Sequence, residues 1–149
     1  MVDILRPYCR GDNDSVVVVI EQVHAMPGNG NVSMFTFGRG KGLWEGICYA
    51  LGCTVKMVTP QTWKKDWPDL IVPRISKDRK PKTANEKKEA AKEKRLAKVR
   101  AKERSREIAT QLFPEHSKEF EKVKDDGRAE AALIARYASV HFEGITNAK

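Results

Sequence analysis

Two carboxylates near the end of the chain have a spacing that suits metal-dependent chemistry. Asp126 and Glu130 are four residues apart, so a helix would place both side chains on one face. A third acid, Glu21, directly follows the run VVVVI at 16–20, which is typical of a strand buried on both faces of a sheet. Three such acids could converge on Mg²⁺, which prefers oxygen ligands. Each also has an ordinary explanation, as a polar strand end or as compensation of a helix dipole.

The positive charge of the chain is concentrated in one segment. The 149 residues have a net charge of +8, from 28 Lys and Arg against 20 Asp and Glu. Between positions 74 and 106 the counts are 15 and 5, or +10, which leaves 13 against 15, or −2, for the remainder. Such a segment favours a polyanionic partner, most commonly nucleic acid. A solvated basic helix without a partner is the alternative.

Length and composition favour one domain with a single core. No apolar run approaches the roughly 18 residues of a membrane span, and the start lacks the layout of a signal peptide. The three cysteines, Cys9, Cys48 and Cys53, form no CxxC pair, which favours reduced thiols. We therefore expect a cytoplasmic protein that is not secreted and has no membrane partner.

Local patterns predict the elements that position these residues. A second strand is expected at 53–58, and a helix from an N-cap at Ser33 to about Leu51, ended by Gly52. Helix formers dominate 85–106, and the helical pattern continues to 113. A last helix is expected from about 125 to 141. The residues expected to face inward are Phe37, Trp44, Ile47, Cys48 and Leu51, then Ile108, Leu112 and Phe113, then Leu133, Ile134 and Tyr137.

An aromatic residue and two bases meet at Trp63-Lys64-Lys65. This cluster could contact a nucleic-acid backbone. A tryptophan that caps the hydrophobic core is an equally good interpretation of the same residues.

Several blocks together resemble the RuvC-like Holliday-junction resolvases, nearest to the phage and organellar type. The blocks are IEQVHAMPG at 20–28, SMFTFGR at 33–39, GLWEG at 42–46, VTPQTWKK at 58–65, SR at 105–106 with LFP at 112–114, and KDDGRAEA at 124–131. They occur in the order of the family. The resemblance implies an α/β fold of the RNase H-like kind, a mixed central sheet flanked by helices. It implies a single domain over 1–149. The basic helical segment at about 75–104 departs from the compact family pattern and is expected to be an insertion.

The resemblance also implies a function. These resolvases are homodimeric, Mg²⁺-dependent endonucleases that cut four-way DNA junctions in recombination and repair, so the expected partner is branched DNA. At the matching positions, Glu21, Asp126 and Glu130 would be the catalytic metal ligands, with Asp125 as the runner-up for Asp126. Two Mg²⁺ ions per site are expected, with Mn²⁺ as a substitute. The expected DNA-binding residues are Arg39, Lys41, Lys64, Lys65, Lys92, Lys94, Arg95, Lys98 and Arg128.

The chain departs from the family at its start. Members open with a strand carrying a Gly-x-Asp-Pro-Gly-like motif, whose Asp is the first catalytic acid, followed by a hairpin. Only twenty residues precede Glu21, and none of them forms this motif. We therefore expect an N-terminally truncated fold and an impaired nuclease. The alternative is a catalytically inactive DNA-binding protein that keeps the fold, and a third interpretation is a basic structural or RNA-binding domain without an active site.

Overall fold

The computed structural model of the chain describes residues 2–9, 16–22, 30–72, 81 and 83–142. Helices dominate these residues, and two short strands make the architecture broadly α/β. The chain clusters into two units, a first unit of Met1–Pro60 with Ala138–Lys149 and a second unit of Gln61–Tyr137. None of the described helices has both the length and the apolar character that a membrane crossing requires.

The first unit contains a short helix, α1 (Val2–Leu5), and a parallel two-stranded sheet. Strand β1 (Val17–Glu21) pairs with β2 (Thr54–Val58), so that Glu21 lies opposite Val58. Both expected strands are confirmed. The expectation that the valine run is buried on both faces is wrong, because all five residues of β1 are half-buried. Full burial of a parallel strand needs neighbouring strands on both sides and covering layers on both faces. In the described part of the sheet, β1 has β2 as its one neighbouring strand.

Helix α2 (Asn31–Ala50) lies between the two strands in sequence, as in a βαβ unit. It begins before the expected N-cap, because Gly30 has the extended backbone of a cap and its carbonyl accepts from the amide of Met34 at 3.0 Å. The assignment of Ser33 as N-cap was therefore wrong. Phe37, expected to face inward, is 57% exposed, whereas Cys48 is buried as expected.

A glycine with positive φ ends α2. Gly52, one residue beyond the C-cap Leu51, has a φ of +75°. Its amide donates to the carbonyl of Tyr49 at 3.1 Å, and the amide of Cys53 donates to the carbonyl of Cys48 at 2.9 Å. This pair of bonds is a Schellman motif, in which glycine is preferred because it adopts the left-handed conformation without strain. The prediction that Gly52 ends the helix is confirmed.

The second unit is dominated by a long helix, α4 (Ala84–Leu112), which follows the single turn α3 (Pro60–Trp63) and two 3₁₀ segments, Lys64–Asp66 and Pro68–Leu70. A capping box starts α4: Thr83 Oγ1 accepts from the amide of Glu86 at 3.2 Å, and the Glu86 carboxylate accepts from the amide of Thr83 at 3.0 Å. The basic helix and the continuation expected after it are thus one helix of 29 residues.

The buried residues of the second unit include residues of α4 and of the last helix, α5 (Asp126–His141). Ile108 is buried as expected, but Leu112 is 41% exposed, so its expected inward position was wrong. The assignment of Leu133, Ile134 and Tyr137 to the buried side of α5 is confirmed. Trp63 is fully buried and contacts Trp67 edge to face, with 6.0 Å between ring centroids. Of the two interpretations of Trp63, the structure therefore shows the core tryptophan.

The Schellman motif makes a testable prediction about two glycines at and near the end of α2. Gly52→Ala should lower the free energy of unfolding by about 1–2 kcal/mol, because alanine is strained at positive φ. Gly46→Ala, inside α2 with nothing within 4 Å of an added Cβ, should raise it by up to about 1 kcal/mol. Urea denaturation of both variants measures the two changes. Equal effects of the two substitutions would contradict the role given to Gly52.

Candidate functional site

The two carboxylates of α5 lie one above the other at the start of the helix. Ala129, Leu133 and Ile134 are buried, which fixes how α5 is rotated about its axis. This rotation leaves the side chains of Asp126 and Glu130 only partly exposed, at 22% and 29%. Two like charges at this spacing repel each other, so a helix tolerates them best when cations are near.

Each of these carboxylates is paired with a lysine from a different element. The Lys102 ammonium, on α4, forms an ion pair with Asp126. Lys64, in the 3₁₀ segment after α3, places its Nζ 3.3 Å from Glu130 Oε1. The same Nζ lies 4.9 Å from the centroid of the Trp63 ring, a cation–π distance. A buried tryptophan and a carboxylate thus orient Lys64, which was expected to bind DNA.

Electrostatics keeps the Asp126–Lys102 pair ionised. The hydrogen bond from Lys102 is the main reason that the pKa of Asp126 is lowered, with a smaller contribution from the amide of Gly127, which donates to Asp126 Oδ1 at 2.9 Å. The same hydrogen bond raises the pKa of Lys102, and the charge of Glu130 adds to this. Both shifts favour the charged forms, so Asp126 and Lys102 form an ion pair at neutral pH.

Arg106 is a member of this site that residue patterns did not predict. Its charge contributes to lowering the pKa of Asp126. Its Nη1 donates to the carbonyl of Glu121 at 3.1 Å, whereas its buried Nε has no hydrogen-bond partner among the described residues. The sequence carried one signal, the Ser105-Arg106 block, but that block indicated family resemblance and not a position beside Asp126.

Asp125 and Asp126 have different environments. The Asp125 side chain is buried, and its Oδ2 accepts from the amide of Lys122 at 3.3 Å, which closes the turn before α5. Arg128 lies beside it, with Nη1 3.8 Å from Asp125 Oδ1. Asp126 is the acid that lies four residues from Glu130 on α5. The geometry therefore favours Asp126 over Asp125 as the partner of Glu130.

The third expected ligand, Glu21, belongs to the first unit. It is the last residue of β1, half-buried, at the carboxyl end of the parallel sheet, where open α/β sheets bind ligands. Arg39 and Lys41, on α2, belong to the same unit, and Lys41 Nζ lies 3.7 Å from Glu45 Oε1. Because Asp126 and Glu130 belong to the second unit, the three-acid metal site stays a prediction.

The remaining DNA-binding candidates are exposed in the second unit. They are Lys65, Lys92, Lys94, Arg95, Lys98 and Arg128. Four of them lie within one helical stretch of α4, in which every residue from 91 to 96 is exposed. Each of these positive side chains is therefore accessible to a phosphate backbone.

The donor chemistry of the acid pair fits a divalent cation. Asp126 and Glu130 offer hard oxygen ligands on one partly exposed helix face, as Mg²⁺ requires. The ammonium groups of Lys102 and Lys64 already occupy positions next to these oxygens, so a metal ion would compete with them. Over the part of the chain that the structure describes, no three His, Cys, Asp or Glu side chains form a ligand set.

The lowered pKa of Asp126 makes a prediction about acid stability. A carboxylate whose pKa is lower in the folded state than in the unfolded state stabilises the fold at any pH above its unfolded-state pKa, about 4. This stabilisation is lost as the pH falls through the folded-state pKa. Asp126→Asn should lower the free energy of unfolding by no more than about 1 kcal/mol at pH 7, because Lys102 is exposed. Below about pH 4 the variant and the parent should converge.

Urea denaturation between pH 2.5 and pH 7 would measure this effect, with the range chosen to span the carboxylate titration. Lys102→Met is the matched variant, because it removes the other partner of the same pair and should show the same convergence. An unchanged difference between Asp126→Asn and the parent across this range would show that the Lys102 pair does not stabilise the fold.

Comparison with known proteins does not assign the chain to a family. No protein-family profile matches the chain, and no curated protein matches it significantly.

Proposed function

We propose that this protein is a structure-selective DNA endonuclease of the RuvC-like resolvase type, which binds four-way junctions and hydrolyses phosphodiester bonds with Mg²⁺. The observation that carries the proposal is the Asp126–Glu130 pair set among Lys64, Lys102 and Arg106. Carboxylate oxygens bind hard metal ions, and adjacent cations bind phosphate. The site thus offers at one place both kinds of group that metal-dependent chemistry on a phosphate ester uses.

The residue blocks of the sequence and the βα order of the first unit support an RNase H-like architecture for the proposed enzyme. Strand β1, helix α2 and the parallel strand β2 follow one another, and β1 carries Glu21 at its carboxyl end. In the proposal, Glu21 joins Asp126 and Glu130 as a metal ligand, and the active protein is a homodimer that meets the two symmetric strands of a junction. The two-fold symmetry of such a substrate favours a symmetric dimer.

The chain's own residues have separate tasks in the proposed reaction. Asp126 and Glu130 would hold Mg²⁺, which when bound activates water and stabilises the leaving oxygen. Lys102 keeps Asp126 ionised, and a bound metal ion would have to displace its ammonium group from the carboxylate. Lys64 and Lys102 would offer ammonium groups to the scissile phosphate, and the charge of Arg106 adds to the positive potential at Asp126.

The basic helix supplies the proposed DNA-binding surface. With 29 residues, α4 is about 44 Å long, comparable with more than one turn of B-form DNA. Lys92, Lys94, Arg95 and Lys98 are exposed on it, and the same helix carries Lys102 to the acid pair. One helix thus connects a surface that would follow the DNA backbone to the place where a phosphate would react.

A second candidate function is a DNA-binding protein that keeps the fold without cleaving DNA. The ion pairs themselves favour it, because Asp126 and Glu130 each have a lysine and need no metal for neutralisation. The two candidates share the DNA-binding surface and differ only at the acid pair. Nicking of a junction therefore separates them.

Charge reversal on α4 tests the DNA-binding surface. Changing Lys92, Lys94, Arg95 and Lys98 together to Glu should weaken junction binding at least tenfold and reduce the slope of log K against log salt by up to about 3.6, from roughly 0.9 per phosphate contact. Titration of labelled junction DNA at several salt concentrations measures both quantities.

A matched pair of double variants controls for net charge. Lys94→Glu with Lys98→Glu changes α4, whereas Lys118→Glu with Lys122→Glu makes the same change in charge at exposed positions outside it. Only the α4 pair should flatten the salt dependence. Equal effects of the two pairs would show that α4 contributes through net charge alone.

Junction nicking tests the proposed chemistry. The chain should bind a four-way junction more tightly than a linear duplex and nick it slowly in Mg²⁺ or Mn²⁺, since the family's Gly-x-Asp-Pro-Gly-like motif is not found in these residues. Glu130→Gln should abolish nicking and keep junction binding. Glu119→Gln, an exposed acid outside the pair, is the control and should nick as the parent does. Tight junction binding without nicking in either metal would favour the DNA-binding protein.

A further inference from the structure

Two of the three thiols in the first unit are in contact. The Sγ atoms of Cys9 and Cys53 lie 2.7 Å apart, although the residues are 44 positions apart in the sequence. Both are free thiols, as is Cys48. Cys48 and Cys53 are buried, whereas Cys9 is half-buried and can be reached from solvent. None of these cysteine side chains belongs to the site that Asp126 and Glu130 form with Lys64 and Lys102 in the second unit.

Backbone hydrogen bonds hold both partners in place. Cys53 is the last residue of the Schellman motif, and the next amide, that of Thr54, donates to the carbonyl of Val16 at 2.9 Å at the start of the sheet. The amide of Cys9 donates to the carbonyls of Leu5 and Arg6, at 3.2 Å and 3.3 Å, in the turn after α1. Backbone hydrogen bonds therefore fix the position of each of the two cysteines that form the sulfur–sulfur contact.

We propose that Cys9 and Cys53 are a modification site, a thiol pair that small disulfide oxidants convert reversibly into an intramolecular disulfide. The bond would join the turn after α1 to the start of β2. It would close a long loop containing β1 and α2, and cross-links that close long loops restrict the unfolded chain most.

The two thiols have different tasks in the reaction. Burial, and then the hydrogen bond with Cys9, raises the pKa of Cys53 to about 12, so Cys53 is a protonated thiol at neutral pH. Cys9 is the more accessible of the two and is the first to react. Cys53 is already in contact with Cys9 and is the resolving thiol.

With glutathione disulfide as the oxidant, the reaction has two exchange steps. Cys9 gives its proton to solvent and attacks one glutathione sulfur, which breaks the glutathione disulfide, forms a mixed disulfide and releases one glutathione thiolate, which takes up a proton from solvent. Cys53 then gives its proton to solvent and attacks Cys9 Sγ, which forms the protein disulfide and releases the second glutathione. Two protein thiols are oxidised, and one glutathione disulfide is reduced to two thiols.

Mass spectrometry of the full chain after incubation with glutathione disulfide tests the proposal. The expected product is lighter than the reduced protein by two hydrogen atoms, keeps one alkylatable cysteine, and yields a peptide in which Cys9 is bonded to Cys53. Its thermal unfolding midpoint should rise by about 5–15 °C and return after reduction with dithiothreitol. Peptide mapping of the parent protein gives the answer without any variant.

Three variants assign the roles. Cys48→Ala should still form the disulfide, because Cys48 is not a partner in the 2.7 Å contact. Cys9→Ser should form none, and Cys53→Ser should stop at the mixed disulfide of Cys9 with glutathione. In the parent chain, a stable glutathione adduct, a bond between Cys48 and Cys53, a disulfide between two chains, or three thiols that stay reduced would each overturn the proposal.

Discussion

Charge compensation on α5 is the physical constraint around which the candidate site of the second unit is arranged. Asp126 and Glu130 are like charges one helical turn apart, and the buried face of α5 leaves both only partly in water. Lys102 from α4 forms an ion pair with Asp126, and Lys64 from the segment after α3 forms an ion pair with Glu130. The two ion pairs thus connect three segments of the unit. Because the lysines remain partly exposed, the pairs specify orientation more than they add stability.

The same compensation explains why the arrangement is compatible with both proposed functions. Carboxylates with ammonium partners are stable without a metal, as a DNA-binding protein would need. The pairs are also half-exposed, so a divalent cation has access to the oxygens and a phosphate has access to the ammonium groups. The charge of Arg106 adds to the positive potential at Asp126. The balance between acid and base at this site is therefore its central chemical property.

Sequence patterns predicted elements better than they predicted faces. The strands, the helix ended by Gly52 and the helix starting at Asp126 were found where strong local signals placed them. Phe37 and Leu112 were assigned to buried faces and are exposed. Helical spacing places residues on a shared face, but which face is covered depends on neighbours far away in the chain. The prediction that the valine run is buried on both faces was wrong for the same reason, because burial of a strand depends on the layers around it.

The sequence by itself determined the identity and spacing of the chemical groups: an acid pair four residues apart, a +10 segment, and an acid at a strand end. These are local properties, set by helix geometry and composition. Only the tertiary structure decided which cation meets which acid, that Asp125 caps a turn while Asp126 meets Lys102, that Trp63 is buried, and that Cys9 meets Cys53. These pairings join residues that burial and backbone hydrogen bonding bring together. The spacing of residues along the sequence therefore does not predict them.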